Sequence, residues 1–375
     1  MLLSCGEPSG DLYAGALTRE LRALAPDLAV AGLGGPALAA AGADLVADYR
    51  GLAATGLTEV VAVIPRFLAT LNALVRAAER QRPDVLVLID YPEFNFRLAR
   101  RIKALGVPVI YYIVPQVWAW RRRRLEAIKA FADLVVPIFP FEEALYRDRG
   151  IPVRFVGHPL VDLARASVSR DVFLASRGLD ARAPTLALLP GSRPNEVRAI
   201  LPDLVRAAEL VAARVPGVQC VLARAPGLDD ALFDVARGRR LSIAIVEGDT
   251  DAVLASADVA VTASGTATVQ AALHDTPMVV VYRLSPLTYR LGRRFVKVST
   301  FGMVNLIAGS TIVPELIQDA FTPAAVADEA VAMLTDPLRR ARVRDGLARV
   351  RERLGAPGAS ARAAQVVLVF VAERR

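Results

Sequence analysis

Cysteine, histidine and tryptophan are nearly absent, with two of each in 375 residues. Cys5 and Cys220 stand far apart without a partner motif, which excludes a disulfide framework and a zinc-ligand spacing; both read as buried thiols. His158 and His274 are too few for a metal cluster or a His-based relay, so the expected chemistry uses neither a metal nor another cofactor. Long apolar runs are missing as well. No uncharged window reaches the ~20 residues of a membrane span without proline or polar interruption, and Glu7 and Asp11 break any signal-peptide pattern. A cytoplasmic protein without a transmembrane helix is expected. Aromatic residues are sparse and not interleaved with a basic tract. The dense run Arg121–Arg124 has no RNA-binding motif around it, so nucleic acid is not an expected partner.

What is present is apolar and basic. With 54% hydrophobic residues, 22% charged residues and a formal charge of +8, the chain can bury large cores and its partners are expected to be anionic: phosphorylated small molecules or anionic lipid surfaces. Apolar runs at Met1–Cys5, Leu28–Leu33, Val85–Ile89, Val107–Ile113 and Leu134–Ile138 alternate with helical patterns. The alternation pauses at FVGHPL, Phe155–Leu160. It resumes at Leu186–Leu189, Val218–Ala223, Ser242–Val246, Val259–Thr262 and Met278–Tyr282. This is an α/β pattern of two doubly wound, Rossmann-like parallel-sheet domains, 1–160 and 161–354, expected to enclose a deep cleft. A last amphipathic helix, about 355–375, would dock back on the first domain or on another subunit of a homo-oligomer. The run before Gly6 is only as long as the shortest strands, as a trimmed start would leave it. For His158 at the boundary, a place facing the cleft and a structural place stand side by side.

Ligands of parallel sheets bind beyond the carboxyl ends of the strands, and the unusual residues of the first domain fall there. In GEPSGD, Gly6 and Gly10 permit close backbone approach, Glu7 and Ser9 offer ligand contacts, and Asp11 suits a helix cap. GLGGP, Gly32–Pro36, lacks the spacing of a dinucleotide fingerprint and reads as a tight turn. In DYPEFN, Asp90–Asn95, an apolar strand delivers Asp90 into the crevice as a candidate general base. In VPQVWAW, Gln116 and Trp118 suit a sugar face, though paired tryptophans more often pack. Between these loops, a helical pattern over Glu59–Arg80 is apolar on more than one face. It is either fully buried or placed at a bilayer interface or acyl chain through Val63, Phe67, Leu68 and Leu71, and the net charge favours an anionic membrane surface.

The second domain is organised around LALLPGSRPNE, Leu186–Glu196, a buried strand, a tight Gly191–Ser192–Arg193 turn and a helix start. Unpaired N–H groups and the positive end of the helix dipole suit a phosphate, and Arg193 adds a bidentate donor. A second such turn, Ser264–Gly265–Thr266, opens the helix TATVQAALH, with Gln270 one turn on and in reach of a ribose or sugar hydroxyl. Two helix starts on one sheet edge point to a nucleoside diphosphate. Farther on, Asn305, Glu315 and Gln318 are isolated in apolar text and must be satisfied by backbone or by ligand.

In order, GEPSGD, DYPEFN, VPQVWAWRRRR, FVGHPL, LLPGSRPNE, SGTATVQ, PMVVVYR, VNLIAG and IVPELIQ resemble the lipid-A-disaccharide synthases, inverting glycosyltransferases of the GT-B fold, across essentially the whole chain. The resemblance implies transfer of 2,3-diacylglucosamine from UDP to the 6-hydroxyl of 2,3-diacylglucosamine 1-phosphate (lipid X), at the cytoplasmic face of the inner membrane and without metal. It implies Asp90 as base, Gly191, Ser192, Arg193 and the 264–266 turn as diphosphate ligands, and Asn305 as a further essential polar position. It makes the first domain the acceptor side, with Glu7, Ser9, Gly10, Asn95, Gln116 and Trp118, and the second the donor side. Two departures stand out: Gln270 where many relatives carry a carboxylate, and Glu93 where Asp is usual. Glu93 therefore remains an alternative base.

Overall fold

A computed structural model describes residues 1–52, 57–115, 123–239, 241–283 and 302–374. The chain divides into two compact units, Met1–Asp162 with Leu354–Arg375, and Leu163–Arg353.

In the first unit, β1 (Leu2–Cys5), β2 (Ala31–Gly34), β3 (Asp44–Asp48), β4 (Leu86–Ile89), β5 (Val109–Tyr112) and β6 (Leu134–Val136) form a parallel sheet in the order β3-β2-β1-β4-β5-β6. Continuous apolar strands such as LVLI and VIYY are fully buried, as a parallel sheet covered on both faces requires. The order reverses between β1 and β4, whose pairing runs from Leu2↔Leu86 to Cys5↔Ile89. The loops that follow Cys5 and Ile89 therefore leave the sheet side by side, at the switch point where such folds bind ligands.

The first unit's helices include α1 (Pro8–Leu24), α2 (Pro36–Ala40), α3 (Leu57–Gln81) and α4 (Pro92–Ala104). Pro8 and Pro92 stand at the first turn of their helices, where a missing N–H costs nothing and the fixed φ favours helix. Leu33, Leu74, Leu88, Phe94, Tyr111 and Ile128 are part of the core. Asp11 lies inside α1 and caps α2: its carboxylate accepts from the N–H groups of Gly35 at 2.7 Å, Ala37 at 2.8 Å and Leu38 at 3.1 Å. That bond set explains the GLGGP turn. The C-terminal helix, Ala359–Ala372, packs on α1 and is anchored by Asp162, which accepts from the Gly358 and Ala359 N–H groups at 2.7 and 3.0 Å.

His158 is a core residue of this unit. Its Nδ1 accepts from the Leu160 N–H at 3.1 Å, and Tyr13 and Phe139 pack against the ring. Burial lowers its pKa from 6.5 to about 3, so the native ring stays neutral where an unfolded chain would take up a proton. Stability is intact above the ordinary histidine value and falls as the pH drops from about 6.5 toward 3. Urea unfolding is expected to show about 2 kcal/mol lost between pH 7 and pH 5 from this ring alone; His158→Gln should be weaker at pH 7 but lack that part of the slope.

In the second unit, β7 (Thr185–Leu189), β8 (Gln219–Arg224), β9 (Ile243–Glu247), β10 (Val259–Ala263), β11 (Met278–Tyr282) and β12 (Glu315–Ile317) are again parallel, in the order β12-β11-β10-β7-β8-β9. The switch point here lies between β7 and β10, with Leu189 opposite Thr262. The site-bearing helices are α5 (Pro194–Ala212), α6 (Thr250–Ala255) and α7 (Thr266–Leu273). Leu188, Val197, Leu201, Leu204, Val221, Val261 and Val280 are fully buried. Cys5 and Cys220 are buried free thiols, and burial raises both pKa values, that of Cys220 to about 12. They are inert structural residues.

Candidate active site

The switch point of the first unit joins the GEPSGD and DYPEFN loops. Asp90 and Tyr91 both take left-handed backbone angles, with φ of 45° and 49°, as does Ile113 beyond β5, with φ of 57°. Each such residue costs about 1–3 kcal/mol, and strain of this kind persists only where the surroundings impose it. The imposing bonds are present. The Asp90 N–H donates to the Ile113 carbonyl at 2.9 Å, and the Asp90 carbonyl accepts from Asn95 Nδ2 at 2.7 Å and from the Tyr111 hydroxyl at 2.9 Å. Burial, reinforced by the Asp90 charge, pushes the Tyr111 phenol well up, which keeps it a donor. The Asp90 backbone is thus clamped on both sides, and its half-buried side chain is carried at the end of β4.

Asn95 does not line the crevice. It is fully buried, accepts from the Ser4 hydroxyl at 2.7 Å and donates to the Ile89 and Asp90 carbonyls, so it supports Asp90 from beneath. Gly10 is likewise buried, its α-carbon packed toward Cys5 and Ile89. Glu7 and Ser9 are partly exposed at the start of α1. A Cβ on Gly6 would lie 2.1 Å from the Tyr91 ring, so the first loop rests on that ring. Burial raises the Tyr91 phenol to about 12, with the charges of Glu7 and Glu93 adding to it. Glu93 is exposed and paired to Arg124 at 2.7 Å, which commits its carboxylate to a guanidinium. Gln116 and Trp118 lie outside the described residues.

On α3, Leu71 is fully buried in the core, so the expected acyl or membrane contact by this residue is not available. Val63 is half-buried, and Phe67 is half-buried against Phe94, with ring centroids 5.0 Å apart. Leu68 and its neighbour Ile64 are 44% and 47% exposed, leaving a small apolar edge. Among the described residues, no helix is long and apolar enough to cross a membrane.

The second unit's switch point carries both phosphate-type turns. Pro194 opens α5 with Arg193 as its N-cap. Gly191 lets the turn pass against Glu196, whose carboxylate accepts from the Ser192 N–H at 3.2 Å and lies 3.5 Å from the Arg193 guanidinium. Arg193 is half exposed, and both donors converge on the Glu196 carboxylate. Beside them, Gly265 caps α7 with φ of 157° and ψ of −159°, a conformation essentially reserved for glycine. A Cβ there would meet nothing within 4 Å, so the helix start is open to a ligand. Of the donors expected at Ser264, the N–H is excluded: it donates to the Val281 carbonyl at 3.0 Å and belongs to the sheet. The first-turn N–H groups from Gly265 and Thr266 onward are those that helix geometry leaves for an anion.

Asn305 is buried and wholly engaged. Its Nδ2 donates to the Val313 carbonyl at 2.9 Å and to Glu315 at 2.7 Å, and its Oδ1 accepts from the Ile312 and Val313 N–H groups. It shapes the loop before β12. Gln270 is half-buried on α7 and donates to Asp251 at 3.1 Å. The residues missed by sequence reasoning are Tyr91, Tyr111, Ile113 and Asp251. Only Tyr91, wedged between an acid and a proline, carried any local signal.

Comparison with known proteins narrows the chemistry. At the level of fold, the chain superposes on UDP-N-acetylglucosamine 2-epimerase from Neisseria meningitidis bound to UDP-GlcNAc, with TM-score 0.69, 11% identity and 98% of each chain covered. It also superposes on the calicheamicin glycosyltransferase CalG4, with TM-score 0.60, 17% identity, and 99% of this chain and 98% of that one covered. At such identities the likeness is one of architecture, the GT-B pair of Rossmann-like units. Sequence goes further. The family model for lipid-A-disaccharide synthetase matches residues 1–370. The lipid-A-disaccharide synthase of Myxococcus xanthus is 45% identical over 98% of this chain and 96% of its own. That of Syntrophus aciditrophicus is 42% identical over 99% and 97%. Matched over residues 1–370 by the family model and over nearly its whole length by these enzymes, the chain belongs to the lipid-A-disaccharide synthase family.

Proposed function

We propose that this chain transfers 2,3-diacylglucosamine from UDP to the 6-hydroxyl of lipid X, yielding the β-1,6-linked lipid A disaccharide 1-phosphate and UDP. The observation that carries this reading is the end-to-end match to lipid-A-disaccharide synthases, because fold likeness alone is shared with epimerases and with other glycosyltransferases. The first unit takes the acceptor and the second takes the UDP-sugar. Asp90 removes the proton of the 6-hydroxyl as its oxygen attacks the anomeric carbon; the bond from that carbon to the diphosphate oxygen breaks, and UDP leaves from the opposite face. Inversion follows from the single displacement. Arg193 and the Ser192 N–H, once the diphosphate takes the place of the Glu196 carboxylate beside them, and the N-termini of α5 and α7 carry the charge that develops on the diphosphate, the part a divalent cation plays elsewhere.

Both substrates are lipids, so the enzyme works at a surface. The exposed Ile64 and Leu68 of α3, with the positive net charge, suit peripheral contact with anionic lipid at the cytoplasmic face of the inner membrane. The test is an assay in detergent micelles with UDP-2,3-diacylglucosamine, lipid X and EDTA, following UDP and disaccharide by mass. Disaccharide formed at an undiminished rate under chelation is expected. Tight UDP binding without product, or epimerisation of UDP-N-acetylglucosamine, would overturn the assignment.

A further inference from the structure

Helix α7 carries a polar cluster that the phosphate turns leave unexplained. Gln270 Nε2 donates to Asp251 Oδ1 at 3.1 Å, and the same oxygen lies 2.8 Å from His274 Nε2. The His274 and Asp251 side chains are only 10% and 21% exposed, so water competes weakly for these bonds. An ionised carboxylate accepts and never donates. The end of the Gln270 amide facing Asp251 must therefore be its NH2, and the facing imidazole nitrogen must carry the proton. This fixes the amide with Oε1 turned away from Asp251, as an acceptor.

We propose that Asp251, braced by His274, is a positioning residue of donor recognition: it locks the Gln270 amide so that Oε1 accepts a hydrogen bond from a ribose hydroxyl of the bound nucleoside diphosphate. The inference rests on the donor-side reading of the second unit. Thr266 to Gln270 is one turn, about 6 Å along the helix, which matches the reach from a diphosphate at the helix start to the attached ribose. The groups in that interval fix the partner. Phosphate oxygens only accept, so an acceptor there is satisfied by the ribose hydroxyls, the nearest donors of the ligand. Without Asp251 the amide turns freely, and ordering it against the ribose hydroxyl, which can both donate and accept, opposes binding.

The test is calorimetric binding of UDP, 2′-deoxy-UDP and 3′-deoxy-UDP to the full chain. The unaltered protein is expected to prefer UDP over at least one deoxy analogue by about 3- to 10-fold. Asp251→Leu should reduce the preference for UDP over that analogue by about 2-fold or more while leaving analogue binding nearly unchanged, which general loosening of the fold would not do. The reversed pair, Gln270→Glu with Asp251→Asn, keeps one donor facing one carboxylate and should retain the preference. An undiminished preference in Asp251→Leu, its absence from the unaltered chain, or its loss in the reversed pair would overturn the proposal. Failure of the unaltered chain to bind UDP at all would overturn the donor-side reading and this inference with it.

Discussion

Asp90→Asn is expected to lower kcat by about 10²- to 10⁴-fold, the usual worth of a positioned general base, with UDP affinity unchanged. The split follows from where the groups lie. Asp90 sits at the end of β4 in the first unit, whereas the turns assigned to UDP belong to the second. The substitution is also mild for the fold. Asp90 takes a left-handed backbone with φ of 45°, and asparagine is among the residues most at home there. The bonds that clamp this position engage its main chain and survive the change. Circular dichroism and thermal unfolding should match the parent. Glu93→Gln discriminates between the two carboxylates. With Glu93 exposed and paired to Arg124, its replacement should cost only a few-fold; a loss as large as that of Asp90→Asn would move the base to Glu93.

Arg193→Ala is expected to cost about 10²- to 10³-fold in kcat, roughly 3–4 kcal/mol of transition-state stabilisation. The guanidinium is half exposed and the Glu196 carboxylate lies 3.5 Å away, a loose pair that a diphosphate would displace. Developing negative charge on the leaving group strengthens the Arg193 contact more in the transition state than in the ground state. The loss should therefore fall on kcat more than on KM. An effect confined to KM would mean that Arg193 only binds the ground state.

Much of this arrangement is legible in the sequence. Strands buried on both faces announce themselves as uninterrupted apolar runs, so the inner strands of each sheet stand out. The two that do not, β3 (DLVAD) and β12 (ELI), lie at sheet edges and are half-buried at best, and edge strands carry the polar text that hides them. The prolines of GEP, DYP and SRP mark the starts of α1, α4 and α5 because proline fits the first helical turn. Partnerships made in three dimensions are not legible. Asp11 reads as a cap, yet it caps the following helix, α2, from within α1. Asn305 reads as a polar residue needing partners, and those partners are backbone groups of its own loop and the Glu315 carboxylate of β12. Nothing local foretells a β-branched Ile113 in the left-handed region, where the Asp90 N–H holds its carbonyl. The pairing of Asp251 with Gln270 depends on two helices meeting, and sequence spacing is silent about it.

The most direct test of the proposed single displacement is the configuration of the new glycosidic bond. Product made by the purified chain from an α-linked UDP donor and lipid X would be examined by proton NMR at the anomeric position. A β-1,6 linkage, with no glycosyl adduct on the protein by intact mass, is the predicted result. An α-linked disaccharide, or a carboxylate carrying the sugar, would contradict it.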